Sequence, residues 1–199
     1  MKGKIQIQDH DSCGTGVLFS KNNEFNHSVI KRALLSLSNM KHRGALSYDG
    51  VTTDGCGILL DIDRKFYQKK LLEEQNSILP NNFSIAVLMV QDNFDYKKKF
   101  SEICSKFDLK ISAERELNVD RNLLGELAKK SCPRIIHAFI SPKKNNDTEN
   151  LEVSFFKIKK YLDNNFCAEK ELYCVSFSAK TIVYKLSLIH ISEPTRPSR

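Results

Sequence analysis

Six cysteines are scattered along the 199 residues, and no two of them stand as a Cys-x-x-Cys pair. Spacing therefore gives no support to a zinc site or a dithiol redox motif. The first twelve residues lack an apolar core, which excludes a secretory signal. They are partly acidic and hold no Arg, which argues against a transit peptide. No apolar run reaches membrane-spanning length, so no membrane partner is expected. No Gly-Lys-Ser/Thr string is present, which removes a P-loop, and the acidic spacing and closing Glu of an EF-hand are missing. No internal repeat is visible. Lys plus Arg is 31 against 24 Asp plus Glu, a formal charge of +7, but the excess is dispersed over Lys97-Lys98-Lys99, Lys143-Lys144 and Lys157 to Lys160. Such runs read as solvated faces. A nucleic-acid partner would call for basic residues interleaved with aromatics on one element, and none is evident.

Against these absences stands a globular composition. Hydrophobic residues make up 41% of a chain long enough for one domain with a real core. Unpaired thiols fit a reducing cytoplasm, with a plastid as the alternative for a photosynthetic eukaryote. Gly14 to Phe19 predicts a first strand, and Lys21 to Glu24 a turn. Ser28 predicts a cap for a helix from Val29 to about Met40, with Val29, Ala33, Leu34, Leu37 and Met40 at helical spacing. Further strands are expected over Ile58–Ile62, Phe83–Val90, Leu109–Leu117 and Ile135–Ile140, and a hairpin over Leu172–Ser178 and Thr181–Tyr184. Helices are expected over Phe66–Glu74, Tyr96–Phe107, Asn122–Lys130 and Leu151–Asn164, although the opening Val153-Ser154-Phe155-Phe156 of the last also reads as strand. Strands with helices between them imply a layered α/β or α+β architecture.

One string near the amino end carries chemistry. Cys13-Gly14-Thr15-Gly16-Val17-Leu18-Phe19 places a thiol before glycine and an apolar run. Removal of residues 1–12 would give Cys13 a free α-amine, so nucleophile and base would share one residue. A thiol of ordinary pKa ~8.5 needs such help at neutral pH, and a terminal amine near ~7.7–8.0 is matched to the task. Two more strings follow: Asn39-Met40-Lys41-His42-Arg43-Gly44-Ala45, and Asp49-Gly50-Val51-Thr52-Thr53-Asp54-Gly55-Cys56-Gly57-Ile58-Leu59. The second reads as a Gly/Asp-rich turn leading into a strand.

Together, in this order and spacing, the three strings resemble the amino-terminal glutaminase domain of the glutamate synthase large subunit. That domain is a class II glutamine amidotransferase of the N-terminal-nucleophile hydrolase type. The likeness continues more weakly through Leu79-Pro80, Cys132-Pro133-Arg134-Ile135-Ile136 and Tyr173 to Lys185, and covers about residues 1–185. It implies an α+β fold, a four-layer αββα sandwich, here incomplete. It implies Cys13 as the nucleophile and Arg43 as the residue that orders the site or binds the substrate α-carboxylate, which a guanidinium can grip with two prongs. His42, Gly14, Gly44, Asp49, Gly50, Asp54 and Gly55 are expected to shape loops, and no residue to bind a metal. Thr15, Val17, Thr53 and Cys56 depart from the family pattern, and none of these removes a reactive group. The family's His-Asn-Gly-Glu segment, which forms the oxyanion hole, is not in the sequence.

The resemblance further implies L-glutamine as substrate, the rest of a synthase chain as partner, and a small NADPH-oxidising subunit or ferredoxin as electron source. FMN and an iron–sulfur cluster are implied for that other part and no cofactor for this one. The alternatives are the glutaminase domain of an asparagine synthetase or amidophosphoribosyltransferase type of enzyme, or an inert fragment. The segmentation expected is a leader over 1–12, a partial amidotransferase domain over 13–185, and a foreign tail over 186–199. The peptide Leu186 to Arg196 looks like a translated sequencing-library adapter. Loose docking of that tail and exposed apolar surface on the rest are expected.

Overall fold

The computed structural model describes residues 14–21, 26–40, 49, 55–143, 148–166 and 171–187. The chain divides into two compact units, one of Met1–Cys56 with Leu186–Arg199 and one of Gly57–Lys185.

In the first unit, Asn26 caps helix α1 (His27–Asn39), its side chain accepting from the Ser28 amide at 2.8 Å. The cap is therefore Asn26 and not Ser28, because the amide oxygen of Asn reaches the N–H two residues on. Val29, Ala33, Leu34, Leu37 and Met40 are half-buried and form the expected stripe. Residues 14–20 carry no strand assignment, contrary to expectation, and Val17 and Phe19 are each 84% exposed. Apolar alternation alone does not make a strand; a ladder partner does.

The second unit is built around a four-stranded sheet in the order β3-β4-β2-β5: β2 (Ser84–Val90), β3 (Leu109–Leu117), β4 (Arg134–Pro142) and β5 (Leu172–Ser178). Every neighbouring pair in it is antiparallel. A smaller sheet pairs β1 (Gly55–Asp61) with β6 (Thr181–Ser187). Strand β2 is central and buried on both faces, which is why it reads as an unbroken apolar run. Ala86, Leu88 and Val90 face one core with α3 (Tyr96–Ser105) and α5 (Thr148–Phe166). Ile85 and Val87 face a second core with α2 (Arg64–Gln75) and residues Leu60, Ile182 and Tyr184 of the small sheet. Helices α3 and α5, the large sheet, and the small sheet with α2 thus form successive layers. This is a mixed α/β arrangement of antiparallel sheets, an incomplete sandwich.

Several boundaries move for physical reasons. The expected helix over Asn122–Lys130 is a 3-10 turn (Arg121–Leu123) followed by α4 (Glu126–Ser131), divided at Gly125, the N-cap of α4. Val153 to Phe156 is helical, since Leu151, Phe155, Ile158 and Leu162 make one buried stripe of α5. Each such side chain contributes about 1.5–3 kcal/mol of burial. The strands β5 and β6 are consecutive but do not form a simple hairpin. Ser178 Oγ accepts from the Lys180 and Thr181 amides at 3.0 and 3.3 Å, and the chain passes there from the large sheet to the small one. Strand β6 runs on to Ser187, two residues into the segment expected to be foreign. The rest of that segment lies outside the described residues.

Candidate active site

Helix α1 closes at Met40, whose amide donates to the Leu37 carbonyl at 3.0 Å, just before Lys41-His42-Arg43-Gly44. Cys13, His42, Arg43, Gly44, Gly50 and Asp54 lie outside the described residues. Gly14 is exposed, Asp49 is half-buried in a turn, and Gly55 opens β1 with nothing within 4 Å of a would-be Cβ. The Asp54-Gly55-Cys56-Gly57 string was expected as a turn, yet from Gly55 onward it is strand.

Gly57 shows why. A Cβ there would stand 2.9 Å from the Tyr184 carbonyl oxygen, so β1 and β6 approach closely only because this residue is glycine. Tyr184 is in turn hydrogen-bonded through its hydroxyl to Tyr67 of α2. At the start of α2, Arg64 donates to three carbonyls: Asn81 at 3.2 Å, Phe83 at 2.6 Å and Ala179 at 2.8 Å. Its guanidinium also lies over the Phe83 ring, 4.9 Å from the centroid. One side chain thereby joins α2, the entry to β2 and the turn before β6. Sequence reasoning gives Gly57 a shaping role in a turn before the strand, whereas it lies within β1. Arg64 carries no signal in the sequence that marks it as a scaffold residue.

Three of the four described cysteines are poor nucleophiles. Burial raises the Cys56 thiol and pushes Cys104 and Cys174 each up to about 12, so they stay protonated at neutral pH. Cys132 is half-buried and free. Among the described residues no three His, Cys, Asp or Glu side chains gather as a metal site. No described helix is long and apolar enough to cross a membrane. A cavity of about 330 Å³ at the β3–β4 end is lined by Glu116, Arg121 and Arg134 among others. Its cations are already engaged: Arg121 pairs with Asp92 at 3.3 Å and Arg134 approaches Glu116 at 3.8 Å.

A sequence model of the glutamine amidotransferases of class II matches residues 13–192. The chain belongs to this family. The match starts at Cys13, and it takes in α1, both sheets and the part of β6 beyond Lys185. This class II amidotransferase chain is also similar to named glutamate synthases. It is 28% identical to the ferredoxin-dependent glutamate synthase of Antithamnion sp., over 90% of this chain and 12% of that protein. It is 28% identical to the NADH glutamate synthase of Saccharomyces cerevisiae, over 89% of this chain and 9% of that protein. It is 28% identical to the NADPH glutamate synthase large chain of Bacillus subtilis, over 89% of this chain and 12% of that protein. The chain thus spans about a tenth of the length of these relatives.

Proposed function

We propose that this chain is the front of the glutaminase domain of a glutamate synthase, with Cys13 as its nucleophile. The supporting observation is the family match that begins at Cys13, together with relatives named for glutamate synthesis. Residues 1–12 act as a removable leader, and 186–199 are foreign to the natural product. Once the leader is removed, the Cys13 α-amine takes the thiol proton and Sγ attacks the glutamine side-chain carbonyl. The C–N bond breaks, the amine returns the proton to the leaving nitrogen, and ammonia departs from a γ-glutamyl thioester. Water, activated by the same amine, then adds to the thioester; the C–S bond breaks, glutamate leaves and the thiol is restored. Arg43 grips the α-carboxylate of glutamine. The developing oxyanion needs donors from a segment absent from these residues. Loss of even one such donor costs about 100- to 1000-fold in other enzymes, so the 199-residue chain alone is expected to be inactive.

The ammonia serves the conversion of 2-oxoglutarate to glutamate elsewhere in the synthase. FMN and an iron–sulfur cluster belong to that other part. The described residues do not fit the iron–sulfur cluster, since the described thiols form no ligand cluster. Ferredoxin or a small NADPH-oxidising subunit supplies the electrons. The test uses the natural full-length product. Its mature form is expected to begin at Cys13 by intact mass, and Cys13→Ser is expected to abolish glutaminase turnover. Active enzyme that still carries Met1 would refute the amine as base, and full turnover by Cys13→Ser would refute the nucleophile.

A further inference from the structure

The core between the two sheets holds one group that does not belong in an apolar interior. His137 of β4 is fully buried, and neither ring nitrogen has a hydrogen-bond partner among the described residues. Its ring meets Tyr67 of α2 edge-on at 6.2 Å and Tyr184 of β6 at 5.5 Å. Across the ladder, Arg115 of β3 stands directly opposite it on one side and Val87 of β2 on the other.

Among the described residues, the charges around it are unfavourable or already committed. Arg115 is cationic and held by Glu74 of α2 at 2.6 Å, and Lys70 of α2 shares that carboxylate at 3.3 Å. Asp63, which caps α2, accepts from the Phe66 amide. Tyr67 and Tyr184 are bonded to each other through their hydroxyls. Tyr67 is held neutral, raised first by burial and then by its bond to Tyr184. Strand β2 brings only Val87 to this row, β5 brings the hydroxyl of Ser176 beyond it, and β1 brings Leu60. Among the described residues no carboxylate is free to meet an imidazolium.

We propose that His137 is an acid-sensitive latch between the sheets. Neutral, it fills the aromatic seam; protonated, it carries a charge that the seam cannot solvate, beside the Arg115 guanidinium, and it releases α2, β1 and β6 from the large sheet. The direction of its titration agrees: burial first, then Arg115, lowers the imidazole from 6.5 to about 4. The folded form therefore excludes a proton that the opened form accepts. The opening equilibrium should shift by roughly 30-fold between pH 7.5 and 5 through this group alone.

Hydrogen exchange on the whole chain tests this, with intrinsic rates corrected at pH 7.5 and 5. Protection of Gly57–Asp61, Arg64–Gln75 and Thr181–Tyr184 is expected to fall by about 30-fold more than that of Tyr96–Ser105. In His137→Gln, which is polar but does not titrate, and in His137→Phe, that differential is expected to vanish. Uniform loss of protection in the wild type, or an unchanged differential in both variants, would overturn the proposal. Should neither variant fold, the wild-type imidazole is followed by NMR: a midpoint well below 6.5 supports the latch, and one near 6.5 overturns it.

Discussion

At Gly57 a single hydrogen decides how near two strands can come. The Gly57→Ala side chain would meet the Tyr184 carbonyl at 2.9 Å, whereas Gly55→Ala meets nothing within 4 Å. The first is expected to destabilise the chain by about 1–3 kcal/mol, as overpacking of a fixed backbone does. The second is expected to cost almost nothing. Urea denaturation of both variants, followed by circular dichroism, checks the contrast; equal losses would remove the close approach as the reason for glycine. Arg64 is the other residue with an outsized part. Arg64→Met leaves the Asn81, Phe83 and Ala179 carbonyls without their donor and is expected to cost on the order of 3 kcal/mol. Arg64→Lys should fall between, because one ammonium cannot serve three carbonyls in the same fork. A lysine variant as stable as the wild type would reduce the contact to plain charge.

Among elements, the turn between β5 and β6 depends on a helix. Glu152 of α5 accepts from the Ala179 amide at 2.8 Å and from Ser178 Oγ at 3.1 Å. Glu152→Ala is expected to destabilise by about 1–2 kcal/mol, with the greatest loss of exchange protection in β6. Strand β2 was legible in the sequence as an unbroken apolar run, and α3 because Tyr96, Phe100, Ile103 and Cys104 recur at helical spacing on its buried face. The split at Gly125 and the passage of the chain between sheets were not legible. Both depend on tertiary partners: the small sheet needs β1 beside β6, and nothing local in Leu172 to Tyr184 distinguishes that from a hairpin. The Cys13, His42–Arg43 and Asp49–Gly57 strings could be read from residue type and spacing. Their mutual geometry could not, because three short strings far apart in sequence carry no angle or distance.

For the whole molecule, acid should act in two descents. His137 resists in the fold the proton that it accepts when unfolded. Its contribution is complete above pH 6.5 and is lost as the pH falls towards 4. Glu74 is held at about 2, chiefly by its hydrogen bond to Arg115, so its contribution is complete above 4.5 and is lost only as the pH falls towards 2. Urea midpoints recorded from pH 7.5 to 2.5 should show both phases. His137→Gln should remove the upper one and Glu74→Gln the lower one. A single smooth descent unaffected by either change would contradict this reading.

The pairing of β1 with β6 has a consequence in time. These strands lie at opposite ends of the Gly57–Lys185 unit, and the large sheet is encoded wholly between them. On a growing chain, β1 emerges first and must wait, unpaired, until nearly everything else has been made. Contacts so distant in sequence form late and slowly. The four-stranded sheet can assemble meanwhile, but α2 and the second core cannot be completed without β6. Birth order therefore makes the seam around Tyr184 the last part to close, and the half-made chain most exposed to aggregation on that side.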